Sequence, residues 1–217
     1  MHLSFGTNKP MNIFKGWENH TERISANWKR LVKPDDTVIL PGDFSWGLKL
    51  EETKKDFEFL ENLPGKKILL KGNHDLWWST SKKLREFLDN NKFNSVDFVF
   101  NNCAVCEGYA VAGTRGWFFD DKPDPKVLQR EAGRLELSLS AAEKTGLPIL
   151  TFLHYPCVWG DEVCEEIFGV IKRHGINQVY HGHIHGAGAC KVKTEYGGVK
   201  FRLLSCDCVD FTPVFIA

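Results

Sequence analysis

One unit recurs along this chain and restricts its fold more than any other feature: a short apolar run, a polar cluster at its end, then a stretch of helical periodicity. TVILPGD (37–43) leads into EETKKDFEFLENL, and KKILLKGNHD (66–75) leads into STSKKLREFLDNN, with Leu84, Phe87 and Leu88 at helical spacing. LPILTFLHYP (147–156) precedes DEVCEEIFGVIKRHG, where Val163, Ile167, Val170 and Ile171 form one stripe, and INQVYHGHIHG (176–186) closes the series. Ahead of them, TERISANWKRLV (21–32) reads as a helix with Ile24, Trp28 and Leu31 on one face and Thr21 as its cap. Continuous apolar strands alternating with helices predict an α/β fold whose sheet is at least partly parallel and covered on both faces. Two segments depart from the pattern. VDFVFNNCAVCEGYAVAG (96–113) reads as short strands and KVKTEYGGVKFRLLSCD (191–207) as a hairpin about Gly197–Gly198. A second, more antiparallel sheet stacked on the first accommodates both.

The 217 residues, 42% of them hydrophobic, suit a single domain over 1–217, with no internal repeat and no linker-like composition. Zero formal net charge argues against a broad nucleic-acid surface or a polybasic membrane contact, so an anion must be caught locally. No apolar run approaches the roughly 18–20 residues that span a bilayer, and MHLSFGTNKP turns polar too early for a signal peptide. Seven cysteines, an odd number, indicate free thiols and hence a reducing cytoplasm. Cys103/Cys106 and Cys206/Cys208 have zinc-like spacing but no second CxxC at finger distance, and read as small core residues.

Each polar cluster follows an apolar run, and the C-terminal ends of parallel strands open into one crevice. Asp43, the Asn73–His74–Asp75 group, His154 and the histidines of YHGHIHG (180–186) are therefore expected to converge, with neighbouring glycines and prolines letting the backbone turn. Carboxylate, amide and imidazole donors without thiolates suit manganese, iron, cobalt or zinc better than calcium. Their number is too large for one tetrahedral ion and suits two. Singly, each piece has an ordinary use: GNHD as a turn, His154 as a core histidine, alternate histidines as the flanks of a strand. Their joint placement carries the inference.

GDFSWG (42–47), GNHD (72–75), LHYP (153–156) and GHIH (182–185) together resemble the calcineurin-like metallophosphoesterase family, in its motif order, over most of the chain. The resemblance implies two stacked mixed sheets flanked by helices, an α/β/β/α sandwich, and two divalent metal ions such as manganese, iron or zinc. It implies that Asp43 bridges the ions, that Asn73, His154 and His183 complete the second site, and that His185 belongs to the first. His74 would be the catalytic histidine, oriented by Asp75, whose charge favours the imidazolium. His181 lies outside this pattern and reads as a strand-end or supporting histidine.

The family opens on a strand ending in Asp–x–His. Here His2 fits the histidine, while the aspartate position and the strand fall before Met1, so either the natural product starts upstream or the protein does without both. With about +4 from two ions offset by about −2, the first site, reduced to His2, Asp43 and His185, is expected to be weakly or partly occupied, with His2 free to swing away. An uncovered sheet edge also favours self-association into a homo-oligomer. Arg115, in GTRGWFF after an apolar run, is a candidate phosphate contact, a salt bridge being its plainer use. Trp46, Trp77, Trp78, Trp117, Phe118, Tyr155 and Trp159 either rim the site or stack on a substrate. The expected activity is hydrolysis of a small phosphomonoester or phosphodiester by hydroxide activated between two metals. A non-catalytic scaffold of the same fold, or a protein with one structural metal, are the alternatives.

Overall fold

In the computed structural model, which describes residues 1–117 and 124–217, β1 (Thr37–Leu40), β2 (Lys66–Leu69) and β3 (Val96–Phe98) pair in parallel in that order. A second sheet draws on β4 (Ala104–Cys106), β5 (Tyr109–Thr114) and β6 (Ile149–Leu153). Past a small hairpin of β7 (Val158–Trp159) and β8 (Glu162–Val163), it continues with β9 (Gln178–His181), β10 (Glu195–Tyr196) and β11 (Val199–Leu203). Its order is β10-β11-β9-β6-β5-β4, with the inner four strands parallel and antiparallel hairpins at the two edges. The two stacked sheets flanked by helices are thus as expected, although only the second sheet is mixed. Antiparallel pairing is narrower than anticipated, because β3 joins the first sheet instead of the second.

Side-chain alternation along each strand feeds two different cores. Leu69 of β2 packs with Trp28, Phe57, Leu84 and Leu88 from α1 (His20–Leu31), α2 (Lys54–Glu61) and α3 (Ser81–Asn91). Its neighbour Ile68 points the other way and joins Val111, Phe152 and Tyr180 between the sheets, where Phe152 stacks on Tyr180 at 5.1 Å. Leu153, next to Phe152, packs instead beneath α4 (Pro125–Glu143) and α5 (Glu165–Arg173). Each fully buried large side chain of this kind contributes about 2–3 kcal/mol.

Some local expectations are corrected. α1 starts at His20 behind Asn19, which sits in the left-handed region, so Thr21 is inside the helix and bonds Glu22 instead of capping. Leu31 is 43% exposed, and Val163 lies in β8 ahead of α5. β1 has only β2 as a strand partner among the described residues. The segment Met1–Leu3 does not run beside β1. It lies beyond its end, where His2 N–H donates to the Asp43 carbonyl at 2.8 Å and Leu3 bridges Ser45 in parallel. A cavity of about 380 Å³ follows the outer edge of β1, walled by Trp28, Val38, Leu40 and Phe152, and ends at Asp43 and His154. No helix among the described residues is long and apolar enough to cross a membrane.

His174, just after α5, ties that helix to α4: its Nδ1 meets Glu143 at 2.7 Å and its Nε2 meets Glu136 at 2.8 Å. Burial disfavours its charged form, but Glu143 and Glu136 outweigh this and raise its pKa above the ordinary 6.5. A raised folded-state value means the stabilisation is complete below pH 6.5 and is lost as pH rises through the folded value. Thermal melts of wild type and His174→Ala should therefore differ most below pH 6.5 and converge as the pH is raised into the alkaline range. A gap independent of pH over that range would show that the pair does not titrate.

Candidate metal centre

Two loops build the site, one after β1 (Pro41–Trp46) and one after β2 (Leu70–Trp77), and they approach because each carries a glycine where no side chain fits. A Cβ at Gly42, whose φ is +96°, would meet His154 Nδ1 at 2.5 Å, and one at Gly72 would fall on the Asp43 carboxylate. The loops are joined by Asp75. Its buried carboxylate accepts from the N–H groups of Asp43 (2.9 Å), Phe44 (2.9 Å), Ser45 (3.2 Å) and Gly72 (2.7 Å) and from the Trp77 indole (3.1 Å). Beyond β6 and β9 the chain supplies His154 and His183.

Asp43, His154 and His183 place one ligand-type atom each within 4.8 Å of one another, and no such group among the described residues includes a cysteine. The Asn73 carboxamide oxygen lies 2.7 Å from His154 Nε2 and 3.1 Å from His183 Nδ1. His154 Nδ1 is 2.9 Å from the Pro41 carbonyl, which can only accept, so the proton of the neutral ring sits on Nδ1. Its Nε2 lone pair then faces two further acceptors, the Asn73 oxygen and Asp43 Oδ2 at 3.4 Å. Lone pairs converging on one space repel each other and are reconciled by a cation between them, so the donor set fits a divalent metal.

A second cluster shares the same carboxylate. His2 Nε2 stands 3.7 Å from Asp43 Oδ2 and 3.2 Å from His185 Nε2. His2 is not swung away: it is 5% exposed, held at its N–H by the Asp43 carbonyl and enclosed by Trp17 and Trp46. His2, Asp43 and His183 all have positive φ (56°, 52° and 69°), backbone strain of a kind found at functional sites. Burial works against the Asp43 carboxylate, but His154, His2 and the His74 N–H outweigh it and hold the carboxyl far below its usual range. Burial, then the neighbouring His154, pushes the His183 imidazole down to about 3.

A sequence model of the family described as calcineurin-like phosphoesterase matches residues 2–187. The chain belongs to that family. Among solved structures, TT1561 of Thermus thermophilus shares its fold, with 18% identity, 87% of this chain and 84% of that chain covered, and a TM-score of 0.55. AQ665 of Aquifex aeolicus, titled a protein of unknown function, aligns at 19% identity over 93% of this chain and 82% of its own, with a TM-score of 0.47. Comparison with curated proteins finds no match.

In this member of the calcineurin-like phosphoesterase family the expected pairing of His74 with Asp75 is not found. Asp75 spends its oxygens on backbone and indole N–H groups, while the half-buried His74 ring lies against Trp46 at 4.2 Å and above His2 at 5.6 Å. Burial lowers the His74 pKa although Asp43 opposes it, so the expected upward shift is also corrected. Burial and the charge of Asp43 raise that of Asp75. Arg115 donates to Glu131 of α4 at 3.1 Å, and Arg134 shares that acceptor at 2.6 Å, so the guanidinium expected to meet phosphate is engaged inside the protein. Trp77 and Trp78 are core residues, Tyr155 covers His183 at 4.3 Å, and Phe118 lies outside the described residues. Sequence reasoning missed Asp207, which accepts from His185 Nδ1 at 2.6 Å. No spacing rule links a turn after β11 to a histidine 22 residues earlier.

His181, the first histidine of YHGHIHG, is outside both clusters. It is 1% exposed, its Nδ1 is 3.2 Å from the Gly182 carbonyl, its Nε2 has no partner, and burial pushes its pKa down to about 4. An unpaired buried nitrogen costs about 1–3 kcal/mol, so an apolar side chain of similar size should serve as well. Urea unfolding of His181→Leu should give stability within about 1 kcal/mol of wild type or above it, with divalent-ion uptake unchanged. Loss of ion uptake in a folded variant would return His181 to the site.

Proposed function

We propose that this chain hydrolyses small phosphoric mono- or diesters at a centre for two divalent ions, one among Asp43, Asn73, His154 and His183 and the other among His2, Asp43 and His185. One observation carries this reading. A single oxygen, Asp43 Oδ2, stands 3.4 Å from His154 Nε2 and 3.7 Å from His2 Nε2, between two separate imidazole sets, while Oδ1 accepts the His74 N–H at 2.9 Å. Manganese, iron or zinc suits these donors. When bound, such ions generate a nucleophile from water near neutral pH and clamp phosphate oxygens.

The protein's own residues supply position and protons. Asp43 stays ionised at the centre because imidazoles surround it on both sides. His154 keeps its Nε2 aimed inward through Nδ1–H to the Pro41 carbonyl. The His74 ring, braced against Trp46, is the group that donates a proton or a hydrogen bond to the leaving oxygen of the ester. Lys9, 4.9 Å from the centre of the Trp46 ring, adds a cation at the rim that draws an anionic substrate in.

A screen of chromogenic mono- and diesters against divalent ions, manganese first, should reveal turnover. His74→Ala should lower it by roughly 10²- to 10⁴-fold with ion uptake unchanged. An ion-loaded protein that cleaves no phosphoester would replace this reading by the binding-scaffold one. Full turnover in His74→Ala would remove the proton-donor role alone.

A further inference from the structure

Resting on the two-ion reading, we propose that Asp207 is the positioning residue that makes His185 a ligand of the first cluster. Asp207 Oδ1 accepts from His185 Nδ1 at 2.6 Å and Oδ2 from the Gly186 N–H at 2.8 Å, so one carboxylate grips the ring and the backbone beside it. A carboxylate facing Nδ1 places the ring's proton there and leaves the Nε2 lone pair aimed at the space shared with His2, 3.2 Å away. Negative charge behind the imidazole also makes that lone pair a better donor to a cation.

Nothing else in the first cluster has this effect. His2 Nδ1 is buried without a hydrogen-bond partner, and its Nε2 faces only His185 Nε2 and Asp43 Oδ2 inside the cluster, so no group behind the His2 ring sets its tautomer as Asp207 does for His185. Trp17 packs edge-on against both rings, His2 and His185 each at 5.4 Å, and limits their tilt without choosing a tautomer. Asp207 can choose because it is held in turn: it sits in a turn closed by Cys208 N–H to the Ser205 carbonyl (2.9 Å) and Phe211 N–H to the Cys206 carbonyl (2.6 Å). Phe211 from that turn then packs on Trp17 at 5.1 Å. The turn after β11, the Trp17 ring and the His2–His185 pair form one connected wall.

The test has two readouts. Long-range ¹H–¹⁵N NMR of the metal-free full chain, with His185 assigned from His185→Gln, should show the Nδ1–H tautomer in wild type and its loss in Asp207→Ala. Manganese titration followed by paramagnetic resonance should show one class of sites weakened roughly 10- to 100-fold in Asp207→Ala, the other unchanged, and a smaller effect in Asp207→Asn, whose amide oxygen still accepts. Should Asp207→Ala not fold, the wild-type tautomer and the Asp207→Asn titration decide. An Nε2–H tautomer in wild type, or equal uptake by wild type and variant, overturns the proposal. A wild-type chain that takes up no divalent ion overturns the two-ion reading and this one with it, while the tautomer then shows only what Asp207 does to the ring.

Discussion

The buried carboxylate of Asp75 is the interaction on which the centre depends. It gathers four backbone N–H groups and an indole N–H from two loops that leave different strands, and so fixes where Asp43 and Asn73 stand relative to each other. Burial and the neighbouring Asp43 charge push its pKa up, while the N–H groups of Gly72 and Ser45 pull against them. Without it, several buried donors would be left unpaired at about 1–3 kcal/mol each. The last residue of GNHD is therefore architectural. Its effect on chemistry passes through the position of Asp43, and not through a proton.

The candidate ligands were legible in the sequence because the fold places them by one rule. Asp43, Asn73, His154 and His183 each follow the C-terminal end of a parallel strand, β1, β2, β6 or β9, and parallel strands bring those ends to one edge. Elements that the rule does not cover were harder to place. α4 buries Leu128, Leu135, Leu139 and Ala142, but Gly133 interrupts the stripe and Leu137 is 58% exposed, which blurs the periodicity. β3 has three residues, too few for alternation to say which sheet it joins. Asp207 was beyond pattern altogether, and Asp75 was named but assigned the wrong contacts, since what both bind is set by tertiary closure.

Positive φ at His2, Asp43 and His183 shows that the surroundings over-determine the backbone there. At Asp43 the constraint comes from both directions: Asp75 holds its N–H, and its carbonyl accepts from both the Met1 ammonium and the His2 N–H, each at 2.8 Å. His2 is thereby tied to the same residue its ring faces. An ordered His2 follows from that tie, even though β1 has only one strand partner among the described residues and a cavity beside it.

The two clusters are anchored by different means, and their chemistry should differ accordingly. His154 is fixed by a main-chain carbonyl within the loop that carries Asp43, so three of the four donors, Asp43, Asn73 and His154, are tied to the Asp75-bound loops. The other cluster has two imidazoles and a shared oxygen, steadied by a side chain from the far end of the chain. More donors on a stiffer frame bind an ion more tightly, and fewer donors leave more positions for water and phosphate oxygens. On that physical ground the proposed centre would hold an ion more firmly on the Asn73 side and would leave more room for a substrate oxygen on the His185 side.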